Sequence, residues 1–108
     1  MGIIAKTSGL KDGQSKKFSY RRKGEKLEGF VLRFRGKFYA YLNRCRHVAL
    51  PLDWGDDDFF TDDKKFLICR NHGAVYEPST GLCVDGPCSG QSLERIEIEV
   101  KNGKISIG

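Results

Sequence analysis

Residues 95–107 read Arg95-Ile96-Glu97-Ile98-Glu99-Val100-Lys101-Asn102-Gly103-Lys104-Ile105-Ser106-Ile107. Ile96, Ile98 and Val100 alternate with Arg95, Glu97 and Glu99, a period of two that puts the aliphatic side chains on one face of an extended strand. Asn-Gly is the dipeptide best able to take the left-handed conformation at both central positions of a primed two-residue turn, and Ile105 and Ile107 resume the alternation beyond it. The stretch predicts a β-hairpin.

Working outward, a second hairpin is expected where Phe30, Leu32 and Phe34 alternate with Val31 and Arg33, Arg35-Gly36 turns, and residues 38–42 return. Shorter strands are expected over residues 3–6, 17–21, 65–69 and 74–77, separated by turn signals at Asp12-Gly13, Lys23-Gly24, residues 78–81 and Asp85-Gly86-Pro87. Turns at this spacing imply an all-β antiparallel sandwich or small barrel. There is no internal repeat and no ten-residue amphipathic helix, although a short helical turn fits within residues 53–63.

At 108 residues the chain has the length of one domain, and we read residues 1–108 as a single one. A composition of 39% hydrophobic and 31% charged residues with a mean hydropathy of -0.46 excludes a disordered tail, a collagen-like repeat and a helical membrane protein. The N-terminus lacks a basic-then-apolar leader, so the expected compartment is the cytoplasm. Nineteen Lys and Arg against 14 Asp and Glu leave +5, a bias toward acidic partners. In a reducing compartment the four cysteines read as metal ligands or thiols more readily than as a disulfide framework.

Both histidines lie beside cysteines, in Cys45-Arg46-His47 and in Cys69-Arg70-Asn71-His72-Gly73. Two thiolates and two neutral imidazoles can hold a tetrahedral zinc or an iron-sulfur core. One cysteine and one histidine per loop suits a dinuclear core, whereas zinc modules more often draw two like ligands from each knuckle. Core cysteines with surface histidines are the bland alternative. Between the two pairs, Asp56, Asp57, Asp58, Asp62 and Asp63 surround Phe59-Phe60. They lack the ligand alternation of a calcium loop and read as a solvated acidic loop.

The pattern resembles the Rieske family of 2Fe-2S proteins: Cys-x-His, a connection, then Cys-x-x-His-Gly. Leu50-Pro51-Leu52 after the first pair, Ala74 and Tyr76 after the second, and Gly86-Pro87 at the expected covering loop extend the likeness. The 21-residue connection from His47 to Cys69 is longer than the family's, and the surplus is the acidic loop. The resemblance implies a cluster-binding part over about residues 43–90 made of two hairpin loops, with Cys45 and Cys69 on one iron, His47 and His72 on the other, and electrons exchanged at the histidine edge.

Departures from the pattern specify the subtype. High-potential members carry a disulfide between the cluster loops, at places that here look like Leu50 and Asn71, and a serine donor where Ala74 stands; Tyr76 keeps a possible donor to a cysteine sulfur. Losing a hydrogen bond to sulfur disfavours the more negative reduced state, so the resemblance implies a soluble Rieske-type ferredoxin in the lower part of the potential range. Arg44, Arg46 and Arg70 flank the ligands. A cation at roughly 8 Å contributes on the order of 0.5–2 kcal/mol toward reduction at an effective dielectric of about 20–80. Cys83 and Cys88, outside the motif, read either as a bridge stiffening the cover or as thiols.

The expected role is one-electron transfer with reductase and oxygenase or similar partner proteins, without a catalytic site, since both histidines are already used. No membrane partner is expected. Two alternatives stand beside it. One is an accessory subunit similar to the small subunit of nitrite reductase. The other is a zinc-stabilised nucleic-acid module using Lys16, Lys17, Arg21, Arg22 and Lys23, with Phe18 and Tyr20 as stacking platforms.

Overall fold

The computed structural model describes residues 2–44, 52, 58–70, 73–86 and 90–107. Among them are nine strands: β1 (Gly2–Lys6), β2 (Ser15–Arg22), β3 (Glu25–Phe34), β4 (Lys37–Leu42), β5 (Leu67–Ile68), β6 (Val75–Tyr76), β7 (Cys83–Asp85), β8 (Ile98–Lys101) and β9 (Lys104–Ile107). The only helical piece among the described residues is one 3-10 turn, Thr7–Gly9. The strands form three antiparallel sheets of three, ordered β1-β9-β8, β2-β3-β4 and β5-β6-β7.

Three tight turns organise the two larger sheets, and each sits on a dipeptide ending in glycine. Lys23-Gly24, Arg35-Gly36 and Asn102-Gly103 all take positive φ, 52° at the first residue and 74–81° at the glycine. This is the primed geometry whose twist matches the flanking strands. The structure corrects the expected strands at five places. β3 starts at Glu25, five residues before Phe30, because its first eight residues pair with the whole of β2, from Arg22↔Glu25 to Ser15↔Leu32. The alternating run 95–101 divides at Glu97: the Ile96 amide bonds the Ala40 carbonyl on β4 at 2.9 Å, whereas Ile98 begins the pairing with β9. Expected strands 65–69 and 74–77 shrink to two residues each, and β7 was not foreseen. Residues 58–63 hold no helix, and residues 53–57 lie outside the described residues.

The β2-β3-β4 sheet is the middle layer. Phe30, Leu32 and Tyr41 point into one core with Leu67, Tyr76 and Cys83 of the small sheet. Val31 and Ala40 point the other way, into a second core with Ala5 and Ile105. The fully buried run Phe30-Val31-Leu32 is thus apolar on both faces because both faces are covered. At Gly29 a Cβ would lie 2.6 Å from the Ile96 Cδ1 and 2.8 Å from the Phe18 ring, so a larger residue there would have to displace both side chains. No helix among the described residues is long and apolar enough to cross a membrane.

Candidate metal centre

The small sheet carries the second cysteine-histidine loop. β5 ends at Ile68, and Cys69 follows with no exposed surface. The Cys69 amide donates to the Ala74 carbonyl at 2.8 Å, and the Gly73 amide donates back to the Cys69 carbonyl at 2.8 Å. These two bonds make a turn that brings Gly73 and Ala74 back onto Cys69, with Gly73 in the left-handed region at φ 73°. A glycine after the second histidine therefore has a local cause: a side chain there would strain the turn that presents Cys69.

The third loop lies directly on this turn. A Cβ on Gly86 would stand 2.8 Å from the Ala74 Cα and 3.3 Å from the Gly73 carbonyl oxygen, and Gly86 itself has φ 100°. Glycine is the one residue that permits so close an approach. Cys83 is buried, and its Sγ donates to the Asp85 carbonyl at 3.2 Å. Ala74 and Tyr76 are both fully buried in the core beneath.

Cys45, Arg46, His47, Leu50, His72, Pro87 and Cys88 lie outside the described residues. What the structure places is the frame on either side of them. β4 ends at Leu42, three residues before Cys45. Asn43, buried, donates its amide to the Glu28 carbonyl at 2.9 Å and its side-chain nitrogen to Glu28 Oε1 at 2.8 Å. Its Oδ1 accepts from the Leu52 amide at 2.8 Å. Arg70 donates through Nη2 to Asp58 at 3.2 Å and to the Phe60 carbonyl at 2.9 Å.

The described end of the acidic loop, from Asp58 to Phe60, is therefore part of the scaffold. Phe59 and Phe60 are buried, and Phe59 stacks on Phe30 with ring centroids 3.9 Å apart and 6° between planes. Asn43, Asp58 and the buried aromatic pair were not singled out as parts of the site from sequence. The available signals were an amide-bearing residue two positions before Cys45 and two aromatics inside a run of carboxylates. Phe18 and Tyr20, considered above as stacking platforms, instead pack inward against the second core, 5.7 Å apart. Burial pushes the Tyr20 hydroxyl above its ordinary value, against the opposing pull of Arg22.

A buried thiol on a closed turn, capped by a second loop through a glycine, together with the donor set of two Cys-His pairs, fits an iron-sulfur core. The sequence profile of the Rieske [2Fe-2S] domain matches residues 2–102. The ferredoxin CarAc of Metapseudomonas resinovorans is 31% identical over 77 residues, covering 71% of this chain and 66% of that protein. The menaquinol:cytochrome c reductase iron-sulfur subunit of Geobacillus thermodenitrificans is 30% identical over 74 residues, covering 68% of this chain and 41% of that protein. Among solved structures, a complex of reduced oxygenase and oxidised ferredoxin in carbazole 1,9a-dioxygenase contains a chain that superposes with a TM-score of 0.75 at 27% identity, covering 97% of this chain and 89% of that one. With the match spanning residues 2–102, nearly the whole chain, the chain belongs to the Rieske [2Fe-2S] domain family and has one [2Fe-2S] cluster as its cofactor.

Proposed function

We propose that this protein is a one-electron carrier of the ferredoxin kind, with Cys45 and Cys69 on one iron, His47 and His72 on the other, and no catalytic site of its own. The observation that supports the reading is Cys69: its thiol is fully buried, and its backbone is bonded to Gly73 and Ala74, on which Gly86 packs. Bound there, the cluster supplies a site that accepts and returns a single electron. The chain's own residues hold it, exclude water from the sulfur side and leave the histidine edge for partners.

The partners that fit are a reductase as donor and an oxygenase or similar protein as acceptor, docking near His47 and His72. The likeness to a ferredoxin of an oxygenase complex supports this reading. So does the chain's charge of +5, which steers an acidic docking surface toward it. Ala74, fully buried and without a hydroxyl, supports a potential in the lower part of the Rieske range, which runs from about −150 to +300 mV.

Low-temperature electron paramagnetic resonance of the chemically reduced protein tests the ligand set. Two imidazoles on one iron give a rhombic signal with an average g below that of all-cysteine ferredoxins, accompanied by iron and labile sulfide. A silent sample containing zinc and neither iron nor sulfide would refute the proposal.

A further inference from the structure

The two ligand-bearing loops leave the scaffold at different places, one from the end of β4 and one from the end of β5. A continuous set of hydrogen bonds joins them. It starts on β3, where Glu28 receives both the Asn43 amide and the Asn43 side-chain nitrogen, at 2.9 and 2.8 Å. It continues through Asn43 Oδ1 to the Leu52 amide at 2.8 Å. The Leu52 carbonyl then accepts the Arg70 amide at 2.7 Å. The Arg70 guanidinium closes the path on Asp58 and on the Phe60 carbonyl, at 3.2 and 2.9 Å.

The path has fixed footings along its length. Leu52 has no exposed surface and is held through both its amide and its carbonyl. Phe60 is buried and bridges to Leu67 on β5, and neighbouring Phe59 stacks on Phe30. Asn43 stands two residues before Cys45, and Arg70 is the residue after Cys69. A shift in any member of the path therefore moves one ligand loop against the other.

We infer that the Glu28–Asn43–Leu52–Arg70–Asp58 path is the clamp that fixes the separation of the two cluster loops, with Asn43 and Arg70 as positioning residues and Asp58 as the counter-charge to Arg70. The clamp has an electrostatic consequence. Reduction adds a negative charge beside Arg70, and a guanidinium already paired with a carboxylate attracts that charge less than a solitary one. The long connection thus has a use: it brings Asp58 to a cation that would otherwise favour the reduced state. The inference rests on the proposed ligand set, because the loops are a pair only if both bind the same cluster.

Three variants of the cluster-loaded protein test it, read by reduction potential, by the g-values of the reduced state and by the rate of iron release to a chelator. Asn43→Ala removes the bonds to Leu52 and Glu28, and iron release should be about tenfold faster with shifted or broadened g-values. Asp58→Asn removes the one carboxylate paired with Arg70 among the described residues and should raise the potential. Arg70→Gln leaves Asp58 with only Lys64 among the cations described near it, 4.0 Å away, and should lower it. The double variant should fall between the two. Asp58 and Arg70 side chains are 44% and 21% exposed, so their variants remain informative if Asn43→Ala does not fold. Potentials unmoved in both charge variants, or moved in the same direction, would overturn the inference, as would wild-type iron retention and g-values in Asn43→Ala. Wild-type protein without the rhombic signal would defeat the ligand set and the clamp together, whereas a normal wild type with unresponsive variants would defeat the clamp alone.

Discussion

Tyr41 is fully buried, and its hydroxyl donates to the carbonyl of Pro78, itself buried, at 2.7 Å. Burial raises its pKa from 10.0 to about 12, partly opposed by Arg95. In the unfolded chain the phenol ionises near pH 10. Between about pH 10 and 12 the unfolded chain has therefore released a proton that the folded protein keeps, and stability present below pH 10 declines through that window. Tyr41→Phe should cost about 1–2 kcal/mol at pH 7, because the Pro78 carbonyl loses its donor in the core. It should also flatten the decline between pH 10 and 12. Urea denaturation of both proteins at the two ends of that window measures this, and equal slopes would show that Tyr41 is not the titrating group. At this scale the sequence is most legible where chemistry is spelled by residue type: Cys69 stands out as a candidate ligand, and Gly73, at φ 73°, as a residue its local backbone requires. Asn43 and Asp58 were not, because their importance lies in partners 15 and 12 residues away along the chain. Arg70 was read as a cation near the cluster; its pairing with Asp58 changes the sign of the question from how much it attracts an electron to how far it is neutralised.

The elements that could be read in advance are those whose geometry is local. Asn102-Gly103 determines a turn by itself, since its φ values of 52° and 74° are ones that few other dipeptides adopt at low cost. Gly103→Ala should destabilise the protein by about 1 kcal/mol, lowering Tm by roughly 4–8 °C if unfolding is two-state. The cost is felt globally because β9 is the central strand of its sheet, paired with β1 and β8. A thermal melt of the variant indistinguishable from wild type would mean that the hairpin relaxes into another turn. The strands of the cluster-binding sheet were harder to read for the opposite reason. β5 and β6 have two residues each, too few for alternation to show, and their register follows from Leu67 and Tyr76 entering the core side by side. The division at Glu97 has the same character: Ile96 and Ile98 share one alternating run, but β4 claims the first and β9 the second. Phe59 and Phe60 likewise belong to an aspartate-rich stretch by composition and to the core by packing.

At the scale of the molecule, the middle sheet separates two cores that draw on different parts of the chain. The first contains Cys69, Ala74, Tyr76 and Cys83, all from the cluster-binding sheet and its loops, against Phe30, Leu32 and Tyr41. The second contains Ala5, Leu10, Val31, Ala40, Ile96 and Ile105, and none of its residues belongs to a ligand loop. Metal binding couples to folding wherever ligands must be gathered and deprotonated together. Stripping the cluster with acid and chelator should therefore loosen the first core and spare the second. Hydrogen exchange followed by mass spectrometry of peptides resolves the two sides. In the stripped protein, peptides carrying β5, β6 and β7 should exchange far faster than in the loaded one, while those carrying β1, β8 and β9 should keep most of their protection. β3 and β4 belong to both cores, so their amides report how well the second core alone can hold the middle sheet. Uniform loss of protection would mean that the two cores form one cooperative unit held by the cluster. Unchanged protection on the β5-β6-β7 side would mean that the clamp from Glu28 to Asp58 and the Phe59–Phe30 stack hold that side without it.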